Sequence, residues 1–211
     1  MIQVKPNTAK RTAPNQKRSQ QTLDRILVAA ADLLEEVGFE RLSTNLICKR
    51  AGLTPPALYR YFPNKYAVLK ELGERLMIRQ NELLEEWQFD PEDLSGLTAQ
   101  IEVFLAATID VTRATKAGGW IMRSMHASPI LSDVRLGSHR RVAQQLADRI
   151  LAAWPTLDPA RVFQSTRLGV EMGYALVEMV FDETRIDESE MIRMTAAMLT
   201  QNFERLLAER A

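Results

Sequence analysis

One cysteine, two histidines and no long apolar run leave several protein classes without the residues they need. Cys48 has no second cysteine to pair with, so an internal disulfide is excluded and a reducing cytoplasm is the expected setting. His126 and His139 stand apart from each other and from Cys48, so metal-ligand spacing is missing, and neither a metal nor another cofactor is expected. Nothing is long and apolar enough to cross a bilayer, and the N-terminus lacks the charged-then-apolar pattern of a secretion signal. A glycine-rich phosphate loop, a His-x-x-x-His pair and a nucleophile elbow are all absent, which argues against an enzyme. Sustained period-two alternation is absent as well, and with it any expectation of a sheet.

What is present is helical pattern and a divided charge. Residues 1–65 carry 11 Lys/Arg against 5 Asp/Glu, while the rest of the chain carries 16 against 22. A basic first third suits a polyanionic partner that the acidic remainder would repel. The first nineteen residues, with Lys5, Lys10, Arg11, Lys17 and Arg18 among Pro, Asn, Gln and Thr, show no apolar period and read as a flexible basic arm.

From Gln21 to Val37, Leu23, Ile26, Leu27, Ala30, Leu33, Leu34 and Val37 fall on one helical face, and Gly38 supplies the stop. Ser43 or Thr44 can cap a short second helix through about Ala51, ended by Gly52. Thr54 can cap a third, through about Phe62, with Pro56 in the first turn where a missing N–H costs little. Pro63 and Asn64 break the chain before a long helix from Lys65 to Trp87. Further breaks place helices near 93–116, 119–127, 133–153, 158–182 and 188–209, about nine in all. The chain thus reads as all-α, with an arm over 1–19, a three-helix segment over 20–66 and a helical bundle over 67–211.

Two short helices joined by a glycine-containing turn and resting on a longer one have the outline of a helix-turn-helix. Leu58 and Phe62, four apart, anchor the third helix inward. Thr54, Ala57, Tyr59, Arg60, Tyr61 and Lys65 are then expected on or beside its exposed side, where hydroxyls and cations make good phosphate ligands. The block Leu-Tyr-x-Tyr-Phe-x-x-Lys over Leu58–Lys65, following Ala-Gly-Leu-Thr at Ala51–Thr54, resembles the DNA-binding motif of the tetracycline-repressor (TetR) family. The likeness covers about residues 20–72 and implies a homodimeric DNA-binding regulator with a variable, all-helical ligand-binding and dimerisation domain.

Under that resemblance Thr44 and Tyr59 take phosphate-contacting positions, and Lys65 a phosphate-binding position at the start of the fourth helix. Asn45 reaches a base edge, while Pro55, Pro56 and Ala57 meet the major groove. The double proline leaves mostly apolar contact with thymine methyls there, with Asn45 and Arg60 as the polar candidates. Cys48 stands where an alanine is more usual; a small buried thiol is the preferred reading over a redox sensor.

The remainder is read through its apolar helices. The segment 161–181 is apolar over most of its circumference and must be buried on several faces. Gly169 and Gly173, four apart, offer a strip for close helix approach. With Val177 and Met198 they are candidates for a four-helix dimer interface. Arg167, Glu171, Tyr174 and Glu178 share one stripe that can face a ligand, a partner subunit or solvent. The resemblance adds Trp87, Phe104, Trp120, Met122, Met125 and His126 as pocket candidates, although plain core is the preferred reading for each of the last five taken singly. The expected function is a repressor released from a palindromic operator by an apolar or amphipathic small molecule. The alternatives are a constitutive or partner-controlled DNA-binding protein and, less favoured, an all-helical enzyme.

Overall fold

The computed structural model describes residues 17–87 and 93–208. These form nine helices: α1 Lys17–Arg41, α2 Thr44–Ala51, α3 Pro55–Tyr59, α4 Lys65–Glu86, α5 Leu97–Ala114, α6 Gly118–Ala127, α7 Ser132–Ala153, α8 Pro159–Asp182 and α9 Glu188–Ala208. No strand occurs among the described residues, and no described helix is long and apolar enough to cross a membrane. The basic arm expected over 1–19 lies outside the described residues except at its end, where α1 already begins at Lys17.

Local chemistry explains the boundaries. Gly38 takes φ 74° and ψ 173°, which breaks the helical path of α1 before a last turn to Arg41. The third helix is shorter than its sequence suggests, and Phe62, which precedes Pro63, sits where helical backbone is disfavoured. The chain tightens instead, with the Tyr61 and Phe62 amides both donating to the Leu58 carbonyl. Asn64 Oδ1 then accepts from the Ala67 amide at 3.0 Å and starts α4. The fifth helix begins at Leu97 rather than near 93, since Asp93 Oδ1 accepts from both the Ser95 amide and hydroxyl and holds a turn ahead of it. Asp158, with Pro159 behind it, caps α8, and Asp187 caps α9.

The described residues divide into two compact units. One runs through Met77 and takes in Arg113–Arg135, so it contains α1 to α3, the first half of α4 and all of α6. Its core joins Leu23, Ile26 and Leu34 of α1 to Ile47, Leu58, Phe62 and Leu69, all fully buried. Each such side chain contributes about 1.5–3 kcal/mol of transfer free energy. Helix α6 belongs here, with Met122 and Met125 buried; a Cβ on Gly73 would come within 2.7 Å of Met125 Sδ, so a larger residue there would require the methionine to shift.

The other unit comprises residues 78–112 and 136–211 as far as they are described. Its core includes Leu84, Ile109, Ala143, Ala147, Val162, Leu176 and Ala196. Trp154 and Phe203 pack 5.6 Å apart at its end.

Candidate functional site

In the first unit, Ser43 caps α2 through the Leu46 amide, and Gly52 closes it in the left-handed conformation at φ 62°. The Leu53 amide donates to Cys48 O at 2.9 Å, which turns the chain toward α3. Arg25 of α1 donates to the Ala51 carbonyl and pins the turn from behind. Leu58 and Phe62 are fully buried, so α3 is held to the core along one side. Pro55 and Pro56 fill its first turn, and Thr54 makes no side-chain cap.

The opposite side is exposed. Asn45, Thr54, Pro55, Pro56, Tyr59 and Arg60 are open to solvent, and Ala57 is half-buried between them and the core. The hydroxyls of Thr44 and Tyr59 lie 3.1 Å apart and clip the start of α2 to the end of α3. One hydroxyl spends its proton on the other, so the pair presents one free neutral donor on a fixed frame.

Tyr61 departs from the sequence expectation, while Lys65 starts α4 as expected and has partners within the chain. Tyr61 is 8% exposed and turns inward, its hydroxyl 3.0 Å from Ser19 Oγ, because it lies beyond the end of the shortened helix. Lys65 Nζ donates to the carbonyls of Phe39 and Glu40 at 3.1 and 3.2 Å and sits over the Phe39 and Tyr66 rings. Its charge satisfies the last carbonyls of α1. Cys48 is buried, and that burial pushes its thiol pKa up, away from the reactive thiolate.

The second unit holds a cavity of 170 Å³ walled by α4, α5, α7, α8 and α9. Trp87 and Phe104 form an aromatic wall, their rings 5.9 Å apart and tilted by 46°. Gly169, Gly173 and Tyr174 of α8 line it as well. The guanidinium of Arg149 reaches across from α7 to the Leu84 and Trp87 carbonyls at 2.9 and 3.3 Å. Gln80, 2% exposed, donates through Nε2 to Thr112 Oγ1 at 2.7 Å.

Of the pocket candidates, Trp87, Phe104 and Tyr174 line this cavity. Trp120, Met122, Met125 and His126 do not: α6 belongs to the first unit, where Trp120 rests against Gly38, Met122 and Met125 fill the core, and His126 is exposed. Arg167 and Glu171 are likewise not on the cavity wall. They form an ion pair, and Glu171 also meets His139 Nδ1 at 3.1 Å. His139 is fully buried and stacks on Tyr174 at 3.9 Å. Partial burial works against the Glu171 carboxylate, but the hydrogen bonds from His139 and Arg167 outweigh it and hold its pKa below the usual value. Burial, reinforced by the Glu171 charge, raises the Tyr174 pKa and keeps its hydroxyl protonated.

The dimer candidates also separate. Gly169 and Gly173 face Leu199 and Leu105 of their own chain and border the cavity, because the missing side chains make room inside the bundle. Val177 is buried in the same chain, while Met198 is half exposed, as are Leu168 and Met194. Gln80, Arg149 and His139 were not singled out from sequence. Gln80 had a signal, a polar residue in the four-spaced stripe Leu72, Leu76, Gln80, Leu84. Arg149 had none, standing beside the solvated Arg140 and Arg141 in the same helix.

A short, proline-started helix presented by a glycine-closed turn over a buried anchor defines a helix-turn-helix protein. Residues 26–72 match the model of bacterial regulatory proteins, tetR family, which assigns this helix-turn-helix segment to that family. It is 44% identical over 52 residues to the tetracycline repressor protein class A from transposon 1721 of Escherichia coli, covering 25% of this chain and 24% of that one. It is 31% identical over 100 residues to an uncharacterized HTH-type transcriptional regulator of Mycobacterium bovis, covering 47% and 51%. The chain therefore spans between a quarter and a half of the length of these curated relatives. The structure of a TetR-family transcriptional regulator from Streptomyces coelicolor superposes with a TM-score of 0.58 at 24% identity, over 88% of this chain and 99% of that one, which extends the likeness in fold to both units.

Proposed function

We propose that the chain is a DNA-binding transcriptional regulator, a repressor whose hold on a palindromic operator is released when a small molecule occupies the cavity of the second unit. The observation that carries the reading is the exposed face of α2 and α3: Asn45, Pro55, Pro56 and Ala57 for the base edges, flanked by the clipped hydroxyls of Thr44 and Tyr59 for phosphates. Arg60 adds a cation at the end of the same helix. Lys65 acts here mainly as the clamp on the end of α1.

One reading head covers one half-site, so useful affinity calls for a symmetric dimer. Leu168 of α8 with Met194 and Met198 of α9 supply exposed apolar surface for that pairing. The helix α4 runs from the reading unit into the cavity unit, Lys65 at one end and Gln80 and Leu84 on the cavity wall, and so carries the signal. The cavity is what favours this over a constitutive DNA-binding protein. The relatives' names as transcriptional regulators favour it over an enzyme.

Selection of bound DNA from a random pool tests the reading. Palindromic sites occupied by a dimer are the expected result, with Asn45→Ala relaxing preference at one position of each half-site. Asymmetric sites held by a monomer would overturn it.

A further inference from the structure

Resting on the reading of the cavity as an effector site, we propose that it selects an uncharged, ring-sized molecule that donates a hydrogen bond, a phenol in chemical class, and that the Gln80 amide oxygen receives that bond.

The argument begins behind the cavity wall. Thr112 Oγ1 donates its single proton to the Thr108 carbonyl at 2.8 Å. That hydroxyl can therefore only accept from Gln80, 2.7 Å away, which orients the amide with Nε2 toward Thr112 and Oε1 turned the other way. Gln80 Oε1 is buried and has no hydrogen-bond partner among the described residues. The neighbouring hydroxyl on the wall, Thr108, is no substitute donor, since it is spent on the Phe104 carbonyl at 2.9 Å. A buried carbonyl oxygen left without a donor is costly, so an occupant that brings an O–H or N–H gains what a pure hydrocarbon cannot.

Size and charge narrow the class. The volume of 170 Å³ compares with the roughly 150 Å³ of an apolar cavity that takes up benzene. The Trp87–Phe104 wall suits the faces and edges of one aromatic ring. A carboxylate is disfavoured at both ends. It would face the Gln80 oxygen at one, and at the other the Arg149 guanidinium is already engaged by the last carbonyls of α4, where the helix dipole offsets its charge.

Calorimetric titration of the full chain with p-cresol, its methyl ether 4-methylanisole, and 4-methylbenzoate tests this directly. The expected order places p-cresol about tenfold or more above the ether, which has the same ring and no donor. The carboxylate is expected weakest. Gln80→Leu should erase the gap between cresol and ether. Thr112→Val cannot accept from the amide, so it should free the amide to turn and raise the ether toward cresol, whereas Thr112→Ser should keep the wild-type order. If Gln80→Leu does not fold, the Thr112 pair carries the same test. Equal binding of ether and cresol, tightest binding by the carboxylate, or no binding of any probe would overturn donor selection. A parallel titration of selected DNA separates this from the effector reading. Cresol that binds with the expected preference and leaves DNA affinity unchanged rejects the effector role alone. Ether and cresol that bind equally and both release DNA reject donor selection alone.

Discussion

The two units use their polar side chains in opposite ways. In the first, the groups that shape the reading face are tied to near neighbours: Thr44 to Tyr59, Arg25 to the turn, Lys65 to the end of α1. The face is outward, and its precision comes from bonds spent to hold it still. In the second there is a void with almost wholly apolar walls, and the buried Gln80 carbonyl oxygen has no hydrogen-bond partner among the described residues. On the proposed reading, one unit is rigid to recognise a large, regular surface, and the other keeps bonding capacity unspent for something small.

The largest test of that contrast is Phe62→Ala. Phe62 is fully buried behind α3, so its loss should cost about 3–5 kcal/mol in denaturant unfolding and abolish DNA binding. A variant that loses this stability and still binds DNA would show that the frame is not what fixes the face. Next comes Gly173→Leu. Gly173 borders the cavity, and an added Cβ would already sit 3.4 Å from Leu105 Cδ2, so a leucine should fill the space at a strain of about 1–3 kcal/mol. Ligand binding should fall at least a hundredfold while DNA affinity holds; loss of dimer in sedimentation would instead move Gly173 to a subunit interface.

Tyr59→Phe should weaken binding to all DNA sequences alike, by about 0.5–1.5 kcal/mol, because it removes one neutral hydrogen bond and reads no base. Lys65→Met should act mainly on thermal stability, lowering it by about 1 kcal/mol through the lost cap on α1. A Lys65 variant with unchanged melting temperature and impaired DNA binding would return that residue to the phosphate contacts.

The smallest effect concerns pH. Glu171 is held below its ordinary pKa of 4.5 in the folded chain. Its contribution to stability is therefore complete above that value and is lost as the pH falls through the lower folded value. Glu171→Gln should be less stable than the parent at neutral pH, and the difference should close on acidification. A gap that persists in acid would locate the loss in packing rather than charge.

What was legible beforehand follows the same division. The reading head is a local object: its caps, prolines and anchors all lie between Ser43 and Lys65, where spacing alone fixes neighbours. The exception is Tyr61, which an early helix end leaves turned inward. The cavity draws on side chains from Gln80 to Phe203, and no local pattern states which apolar helix faces another. The paired glycines of α8 illustrate this. Their spacing announced close approach, and α5 and α9 of the same chain are what come near them.

The double proline at the start of α3 has a consequence for the solution behaviour of the complex. Helix N-termini commonly hold phosphates with backbone N–H groups, and Pro55 and Pro56 have none to offer there. Anchoring beside that helix falls to the hydroxyls of Thr44 and Tyr59, which are uncharged. Counterions are driven off DNA by cations that replace them, and a hydroxyl replaces none. On the proposed reading, the salt dependence of binding therefore falls to Arg60 and the other exposed cations of the first unit, while the hydroxyl contacts add a part that persists as ionic strength rises.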